Sequence, residues 1–301
     1  MARRPILLSV IVLFFCVLFL GGFFLILFSL SQSKHTVSFF NRGDIAILEI
    51  VGPIYDSKET LKQIEEFKDD KRIKAIVVRI DTPGGAVAPS QEIYEELSKL
   101  KKEKVIVASI GAVGASGGYY IACGAHLILA NPGSITGSIG VIMDGFGFQE
   151  LAKQFKIENR VIKTGDYKDI GNPFREMTDK ESDYLRQILL NMYAQFKGVV
   201  ANERKISIEN VENLAQGKVY TGEQAVENHL IDKLGTIYDA IEEAKKLARL
   251  PDDATVIWPK EAGSPLDSFF GSLTRVLLKN LEVGVDSHTG FGYTKPMFLW
   301  H

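Results

Sequence analysis

The first thirty residues form an apolar block, and the rest of the chain alternates between short apolar runs and amphipathic stretches. Residues 5–30 carry no charge, and at about 1.5 Å per residue a helix of this length exceeds the roughly 30 Å hydrocarbon thickness of a bilayer. Cleavable signal peptides have shorter apolar regions of about 7–15 residues, although residues 29–31 weakly resemble a cleavage site. We therefore predict a cytoplasmic stub and a retained transmembrane anchor at residues 1–30. Arg3 and Arg4 precede the run, which predicts a cytoplasmic amino terminus with the following chain on the opposite side.

After a polar linker at residues 31–43, apolar runs typical of buried strands alternate with amphipathic helices. Residues rich in Ile and Val predict strands, and apolar positions spaced three or four apart predict helices. Strands are predicted at Ile45–Val51 and at residues 73–80, 104–110, 126–130, 139–143 and 160–163. Helices are predicted at residues 59–70, 88–102, 115–123 and 148–155. This succession indicates an α/β domain with a largely parallel sheet.

The second half of the chain is predicted to be mostly helical and to complete the same domain, which we place at residues 44–259. A long amphipathic helix is predicted over Asp179–Arg204, with Thr178 as its N-cap and Glu181 as the capping-box partner. Further helices are predicted at residues 207–216, 222–229 and 236–250.

A less regular tail follows at residues 260–301. It contains an amphipathic stretch at residues 267–281 and an apolar end at residues 296–300. An exposed apolar end favours aggregation unless something covers it. We expect the tail to dock on its own or a neighbouring subunit, either as an assembly contact or in a substrate groove. The alternative is an amphipathic segment that rests on the membrane.

Composition excludes several classes of function. The net charge of −2 and the lack of a basic stripe argue against a nucleic-acid partner. The two cysteines, Cys16 and Cys123, lie in the anchor and in an apolar segment, so we expect no disulfide. No Cys/His cluster has metal-ligand spacing, and the phosphate-binding loop motif is absent. We expect neither a metal nor another cofactor.

Ser116 lies among small residues at a predicted strand-to-helix turn. Small neighbours leave room for a peptide backbone, and the residue after a nucleophile often donates its amide to the oxyanion, which here is Gly117. A serine at this position equally suits the N-cap of the following helix. The residues alone leave both interpretations open.

Three further segments hold candidate chemistry. The Pro-Gly-Gly turn ending at Gly85 forms either an oxyanion hole or an ordinary tight turn. The hydroxyl-rich loop at residues 131–140 orients an amine, lines a groove or is plain turn structure. Lys168, 52 positions after Ser116, is either a surface residue or a catalytic base. A lysine activates serine when burial keeps its amine neutral, and no histidine has a comparable setting.

The chain resembles the signal peptide peptidase A family, a Ser-Lys branch of the ClpP/crotonase-like serine peptidases, in four motifs taken together. These are Asp-Thr-Pro-Gly-Gly at residues 81–85, Gly-Ala-Ser-Gly-Gly-Tyr-Tyr-Ile-Ala at 114–122, Asn-Pro-Gly-Ser-Ile-Thr-Gly-Ser-Ile-Gly-Val at 131–141 and Lys-Thr-Gly-Asp-Tyr-Lys at 163–168. The resemblance covers roughly residues 43–250 and follows the short, single-copy bacterial form.

The resemblance implies a ClpP/crotonase-like fold and a role for each motif. Ser116 is implied as the nucleophile and Lys168 as the general base, with Ser138 orienting the lysine amine. The amides of Gly85 and Gly117 are implied as the oxyanion hole, with Gly84 as the alternative to Gly85. One departure is His126, where the family pattern leads us to expect an acidic residue outside the catalytic set.

The resemblance also implies a membrane-anchored serine endopeptidase that degrades remnant signal peptides as a homo-oligomer without a cofactor. The implied location is the bacterial cytoplasmic membrane, with residues 5–30 in the lipid bilayer and the catalytic domain outside. Two alternatives stay open. One is a crotonase-like enzyme acting on an acyl thioester, and the other is a non-catalytic scaffold that binds peptides.

Overall fold

The computed structural model describes residues 43–259 and the backbone of a strand at Met297–Leu299. The strands among these residues are β1 (Ile45–Val51), β2 (Ala75–Thr82), β3 (Gly84–Ala86), β4 (Val105–Ala115), β5 (Leu127–Ala130), β6 (Ile135–Gly137), β7 (Val219–Thr221), β8 (Lys233–Leu234), β9 (Val256–Ile257) and β10 (Met297–Leu299). The helices are α1 (Lys58–Asp69), α2 (Val87–Leu100), α3 (Gly117–Ala122), α4 (Gln149–Gln154), α5 (Asp179–Arg204), α6 (Ile208–Leu214), α7 (Gly222–Glu227) and α8 (Ile237–Ala248).

Eight strands form one sheet in the order β7-β6-β4-β2-β1-β9, with β5 beside β4 and β8 beside β5. Every pairing in this sheet is parallel except that of β6 with β7. β4 has 11 residues and pairs with β5 over residues 107–110 and with β6 over residues 113–115. The predicted α/β architecture with a mostly parallel sheet is confirmed, and the second half of β4 projects past β5.

The central strands are buried on both faces, as their continuous apolar sequences require. On one face Ile45, Ile47, Val77 and Val107 belong to a buried cluster with Ile241 of α8. Full burial of each such side chain contributes roughly 1.5–3 kcal/mol relative to leaving it exposed. This core fixes β2 and β4, whose carboxyl ends lead into the candidate site.

The long helix α5 has the predicted bounds and the predicted capping box. Thr178 Oγ1 accepts a hydrogen bond from the N–H of Glu181 at 3.3 Å, and Glu181 Oε2 accepts one from the N–H of Thr178 at 2.9 Å. Farther along, Phe196 and Val200 are fully buried. α5 is therefore fixed to the core at one end and carries an ordered first turn at the other.

The strands predicted at residues 139–143 and 160–163 do not form. The first prediction missed β6, a three-residue strand that lies just upstream in the polar, glycine-rich loop. In the second segment the side chains of Val161 and Ile162 are exposed, Ile162 fully so. An apolar run predicts a strand only where a neighbouring strand pairs with it, and no described strand pairs with residues 160–163.

Across residues 43–259 and 297–299, no helix is both long enough and apolar enough to span a bilayer. The predicted anchor at residues 1–30 and the predicted tail helix at residues 267–281 lie outside the described residues.

Candidate active site

Ser116 lies at the junction of β4 and α3, one residue beyond the end of the strand. Its φ of 52° and ψ of −115° fall in a region that non-glycine residues seldom occupy and that marks strained functional turns. The N–H of Ser116 donates to the carbonyl of Gly137 at 2.8 Å, which fixes the turn against β6. The side chain is 1% exposed, and its Oγ has no hydrogen-bond partner among the described residues.

The helix-cap interpretation of Ser116 is not supported by its contacts. Ser116 occupies the N-cap position of α3, but its side chain accepts no capping hydrogen bond. Leaving a buried hydroxyl unpaired costs about 1–3 kcal/mol, and an unpaired buried group calls for a functional or solvent explanation. The Oγ is thus available to a group that comes from outside the described chain.

Ser138 shares with Ser116 a positive φ at the end of a neighbouring strand. It directly follows β6, has a φ of 50° and is 4% exposed. Its N–H donates to the carbonyl of Lys218 at 2.7 Å. Because Ala115 and Gly137 are register partners in the parallel pairing of β4 and β6, Ser116 and Ser138 leave the sheet side by side.

The Ser138 hydroxyl differs from the other buried hydroxyls of its loop. Ser134 Oγ donates to the carbonyl of Gly111, and Thr136 Oγ1 donates to the carbonyl of Gly114 at 2.8 Å. Ser138 Oγ forms no hydrogen bond within the described part of the chain. Two of the three hydroxyls therefore stabilise the loop, and the third is left for another partner.

Gly85 and Gly117 approach each other beside Ser116. A Cβ atom on Gly117 would lie 3.3 Å from the backbone N of Gly85 and 2.5 Å from Ser90 Oγ. A Cβ atom on Gly85 would lie 2.1 Å from the carbonyl oxygen of Ile54. Glycine at both positions allows this close approach, and it places the Gly85 amide next to Gly117, the residue that follows Ser116.

A hydrogen bond to Thr82 distinguishes Gly84 from Gly85, the two alternative donors for the oxyanion hole. The N–H of Gly84 donates to Thr82 Oγ1 at 3.1 Å. The carbonyl of Gly84 accepts from Ile54 at 2.9 Å, and the N–H of Ala86 donates to the Ile54 carbonyl at 2.7 Å. Because successive strand residues direct their backbone groups to opposite edges, the N–H of Gly85 faces the other edge. Gly85 is therefore the better placed donor.

That other edge of β3 is occupied by an antiparallel strand from the same chain, β10. The register places Phe298 opposite Gly85. A piece of extended chain thus lies on the strand that holds the candidate oxyanion donor. This edge of β3 is thus paired in the manner of strand addition, by a segment of the same chain.

A cavity of about 510 Å³ opens beside β3, between the first turn of α2 and the face of α5. Its walls include Val87 and Pro89 from α2 and Tyr184, Ile188 and Met192 from α5. The lining is largely apolar. A side chain of a strand paired with β3 would find an apolar cavity within reach.

Lys168 lies in a one-turn 3₁₀ helix, Asp166–Asp169, and its side chain is exposed. Within the described residues its amine forms no hydrogen bond or ion pair with another side chain, and none joins it to Ser116. The structure therefore brings Ser116, Ser138, Gly85 and Gly117 together but does not add Lys168 to them within one chain.

The two described histidines do not provide a base for Ser116. Nδ1 of His126 accepts the N–H of Ile106 at 3.0 Å, and burial lowers the pKa of His126 below its usual value. His229 is exposed and lies in the turn that follows α7. His126, which departs from the family pattern, thus has a structural role at the start of β4 and β5.

Comparisons with known proteins agree with this geometry. Residues 98–251 match the model of peptidase family S49, and residues 35–133 match the Clp protease model. A Synechocystis protein named "Putative protease" is 41% identical over 227 residues, which cover 75% of this chain and 82% of the relative. The Enterococcus faecium "Putative signal peptide peptidase SppA" is 30% identical over 82% of this chain and 74% of its own length. "Protease 4" of Salmonella typhi is 32% identical over 80% of this chain and 41% of its own.

A ClpP-like α/β fold with an unpaired serine beside two backbone amides defines a serine-type peptidase. The chain belongs to peptidase family S49. This membership sets aside both the acyl-thioester enzyme and the non-catalytic scaffold that the sequence left open, and it implies peptide substrates.

Proposed function

We propose that this chain is a membrane-anchored endopeptidase that works with a serine–lysine pair. Ser116 Oγ attacks the carbonyl carbon of a peptide bond while the neutral amine of Lys168 takes the hydroxyl proton. The amine then returns this proton to the leaving nitrogen as the C–N bond breaks, which leaves an acyl group on Ser116. Water, deprotonated by the same amine, attacks the ester carbon, and the amine passes that proton to Ser116 Oγ as the ester bond breaks and the peptide acid is released.

The remaining candidates stabilise this reaction. The N–H groups of Gly85 and Gly117 donate to the oxygen that gains negative charge, an arrangement worth about 2.7–4 kcal/mol for one donor. Ser138 Oγ, which lies beside Ser116 and has no partner among the described residues, accepts a hydrogen bond from the lysine amine and orients it. A single observation carries the proposal: Ser116 is buried and strained, and its Oγ has no hydrogen-bond partner within residues 43–259.

The exposed position of Lys168 supports a homo-oligomer. The segment around it, residues 142–177, exposes several large apolar side chains, among them Phe146 at 82%, Phe155 at 69% and Ile162 fully. Such an apolar surface favours coverage by another protein. We propose that a second copy covers it and that Lys168 of one copy completes the site at Ser116 of its neighbour.

The substrate we propose is an apolar peptide in extended conformation, such as a signal peptide left after secretion. β3 already accepts an extended strand, and the 510 Å³ cavity next to it has an apolar lining suited to apolar side chains. Residues 5–30 would anchor the enzyme in the bacterial cytoplasmic membrane, with the catalytic domain on the outer face. A reporter fused after His301 should then be active only outside the cytoplasm.

Labelling with a fluorophosphonate tests the catalytic assignment. The wild-type protein should be labelled at Ser116, and Ser116→Ala should not be labelled. Lys168→Ala should be labelled far more slowly, because the hydroxyl then lacks its base. Labelling at another serine, or at an unchanged rate in Lys168→Ala, would overturn the assignment.

A further inference from the structure

Lys168 sits in a segment with little regular structure, yet a general base has to be placed accurately. A displacement of about 1 Å costs on the order of 10²-fold in rate. The local hydrogen bonds of the turn, such as that from the N–H of Lys168 to the carbonyl of Gly165 at 3.1 Å, do not reach the core. Contacts to a fixed helix are needed, and the two chain neighbours of Lys168 provide them.

The residue before Lys168 packs on α5. The rings of Tyr167 and Tyr184 are tilted against each other with their centroids 5.0 Å apart. Tyr184 also lines the cavity beside β3. This contact ties the turn to the helix that forms one wall of the proposed substrate groove.

The residue after Lys168 is tied to α5 through an arginine. Arg175 donates from Nε to Asp169 Oδ2 at 2.8 Å and from Nη2 to Asp169 Oδ1 at 2.9 Å. With its other edge, Arg175 donates from Nη1 to Glu181 Oε2 at 2.8 Å and from Nη2 to Glu181 Oε1 at 2.5 Å. We call Asp169, Arg175 and Glu181 the carboxylate clamp. Only a planar guanidinium bridges two carboxylates in this way.

The far end of the clamp is rigid. Glu181 is 4% exposed and closes the capping box of α5. Glu181 and Tyr184 are three residues apart, so they lie on one face of the helix. Lys163 Nζ adds a hydrogen bond to Asp169 Oδ1 at 2.7 Å and another to the carbonyl of Asp166 at 2.9 Å. The turn is thus held on both sides of Lys168 against one helical face.

The charges of the clamp balance. Arg175 and Lys163 face the carboxylates of Asp169 and Glu181, two positive charges against two negative ones. The hydrogen bonds from Arg175 hold the pKa of Asp169 far below its usual range and lower the pKa of Glu181 to about 2. Both carboxylates therefore stay ionised, and the clamp stays closed, throughout the neutral pH range.

We propose that Arg175 is a positioning residue for the peptidase reaction: by bridging Asp169 and Glu181 it holds Lys168 where the base must stand. The proposal rests on the catalytic role assigned to Lys168 above. It adds that α5 of each copy forms a wall of that copy's own groove and also holds the base that serves the neighbouring copy. The clamp thus links the groove of one copy to the base of the next site.

The test compares Arg175→Gln with a matched control, Arg186→Gln, in the full-length protein. Arg186 is an exposed arginine of α5 that makes no ion pair among the described residues. We expect Arg175→Gln to lower kcat on a fluorogenic peptide about 10²-fold with KM changed less than about 2-fold. Arg186→Gln should leave both constants unchanged. Arg175→Lys should restore little activity, because an ammonium with three donors cannot form paired hydrogen bonds to both carboxylates at once as the guanidinium does.

A second measurement separates positioning from general damage. In a Lys168→Ala background, adding Arg175→Gln should not lower residual hydrolysis of p-nitrophenyl acetate further, because Arg175 acts through Lys168. If Arg175→Gln lowered the residual rate in the Lys168→Ala background as much as it lowers kcat in the wild type, the positioning role of Arg175 would be overturned. A wild-type kcat in Arg175→Gln alone would overturn it as well. Should Arg175→Gln fail to fold, Glu181→Gln, which keeps the side-chain shape, takes its place with the same expected loss. Wild-type activity in Lys168→Ala itself would overturn the proposed function instead.

Discussion

Ser116 and Ser138 leave adjacent parallel strands with nearly the same backbone torsion, φ values of 52° and 50°. Both side chains are buried, and neither Oγ has a hydrogen-bond partner in the described part of the chain. The parallel pairing of β4 with β6 places the two serines side by side. A nucleophile and a group that orients its base fit this arrangement.

Replacing Ser138 should slow catalysis without much effect on folding. Ser138→Ala removes a hydroxyl that stabilises nothing within the described chain, so the melting temperature should hardly change while kcat falls. Ser134→Ala is the matched control, because Ser134 bonds the carbonyl of Gly111. It should cost about 0.5–1.5 kcal/mol of stability and leave kcat largely intact. Thermal unfolding and peptide hydrolysis of both variants would reveal a reversed pattern if the assignment is wrong.

A methyl group at Gly85 should abolish activity. Its Cβ would lie 2.1 Å from the Ile54 carbonyl oxygen, so β3 has to move and takes its N–H away from Ser116. Gly133→Ala is the control, because a Cβ atom on Gly133 would meet no heavy atom within 4 Å. Fluorophosphonate labelling should be lost in Gly85→Ala and kept in Gly133→Ala. Normal labelling of Gly85→Ala would exclude its amide from the oxyanion hole.

Two inactive variants should restore each other if Lys168 serves a neighbouring copy. Ser116→Ala subunits retain the lysine and Lys168→Ala subunits retain the serine. Co-expressed, they should form mixed assemblies in which some sites hold both residues. Peptide hydrolysis should then reach a sizeable fraction of the wild-type rate. A mixture as inactive as each variant alone would show that both residues act within one chain.

The carboxylate clamp should make stability depend on pH in the acid range. The Arg175 guanidinium lowers the pKa of Glu181 from its usual 4.5 to about 2. A depressed pKa means that the stabilisation is complete above about pH 4.5 and is lost as the pH falls toward 2. Arg175→Gln should therefore melt below the wild type at pH 6, and the difference should shrink as the pH falls toward 2 while the part due to Asp169, whose pKa lies lower still, remains. An equal difference in melting temperature at both pH values would mean that the Arg175–Glu181 ion pair does not contribute to the free energy of unfolding.

Removing the chain after Gly290 tests what β10 does on β3. If the strand occupies the groove, its removal should speed the hydrolysis of short peptides. Phe298→Pro should have the same effect with minimal change to the chain, because proline cannot donate to a β-ladder. A smaller particle in sedimentation would instead identify the tail as an assembly contact. Unchanged rate and assembly, with weaker liposome binding of a protein lacking residues 1–30, would favour the membrane alternative.

The sequence predicted the elements whose periodicity reflects burial. α5 has its predicted bounds because a capping box and a continuous apolar stripe both mark them. β1 has its predicted bounds because its residues are buried almost without interruption. The α/β class follows from this alternation and does not depend on any single element.

The short strands could not be predicted from the sequence in the same way. β3 and β6 have three residues each, Gly-Gly-Ala and Ile-Thr-Gly, and so short a run gives no periodic signal. Their position is set by tertiary pairing with β4 and with Ile54. The carboxylate clamp was missed for a related reason, since Arg175 and Asp169 lie in an irregular segment. The only member of the clamp that the sequence singled out was Glu181, as the capping-box residue in the first turn of α5.

Strand addition to β3 is made by hydrogen bonds between backbone groups. A segment whose own amides are already bonded in a helix or a sheet therefore cannot join β3. A folded exported protein is protected by its own secondary structure, whatever its sequence. A cleaved leader or a chain that has failed to fold has no such protection. The enzyme would not need to recognise a specific sequence, because the folded or unfolded state of a chain would decide whether it is cleaved.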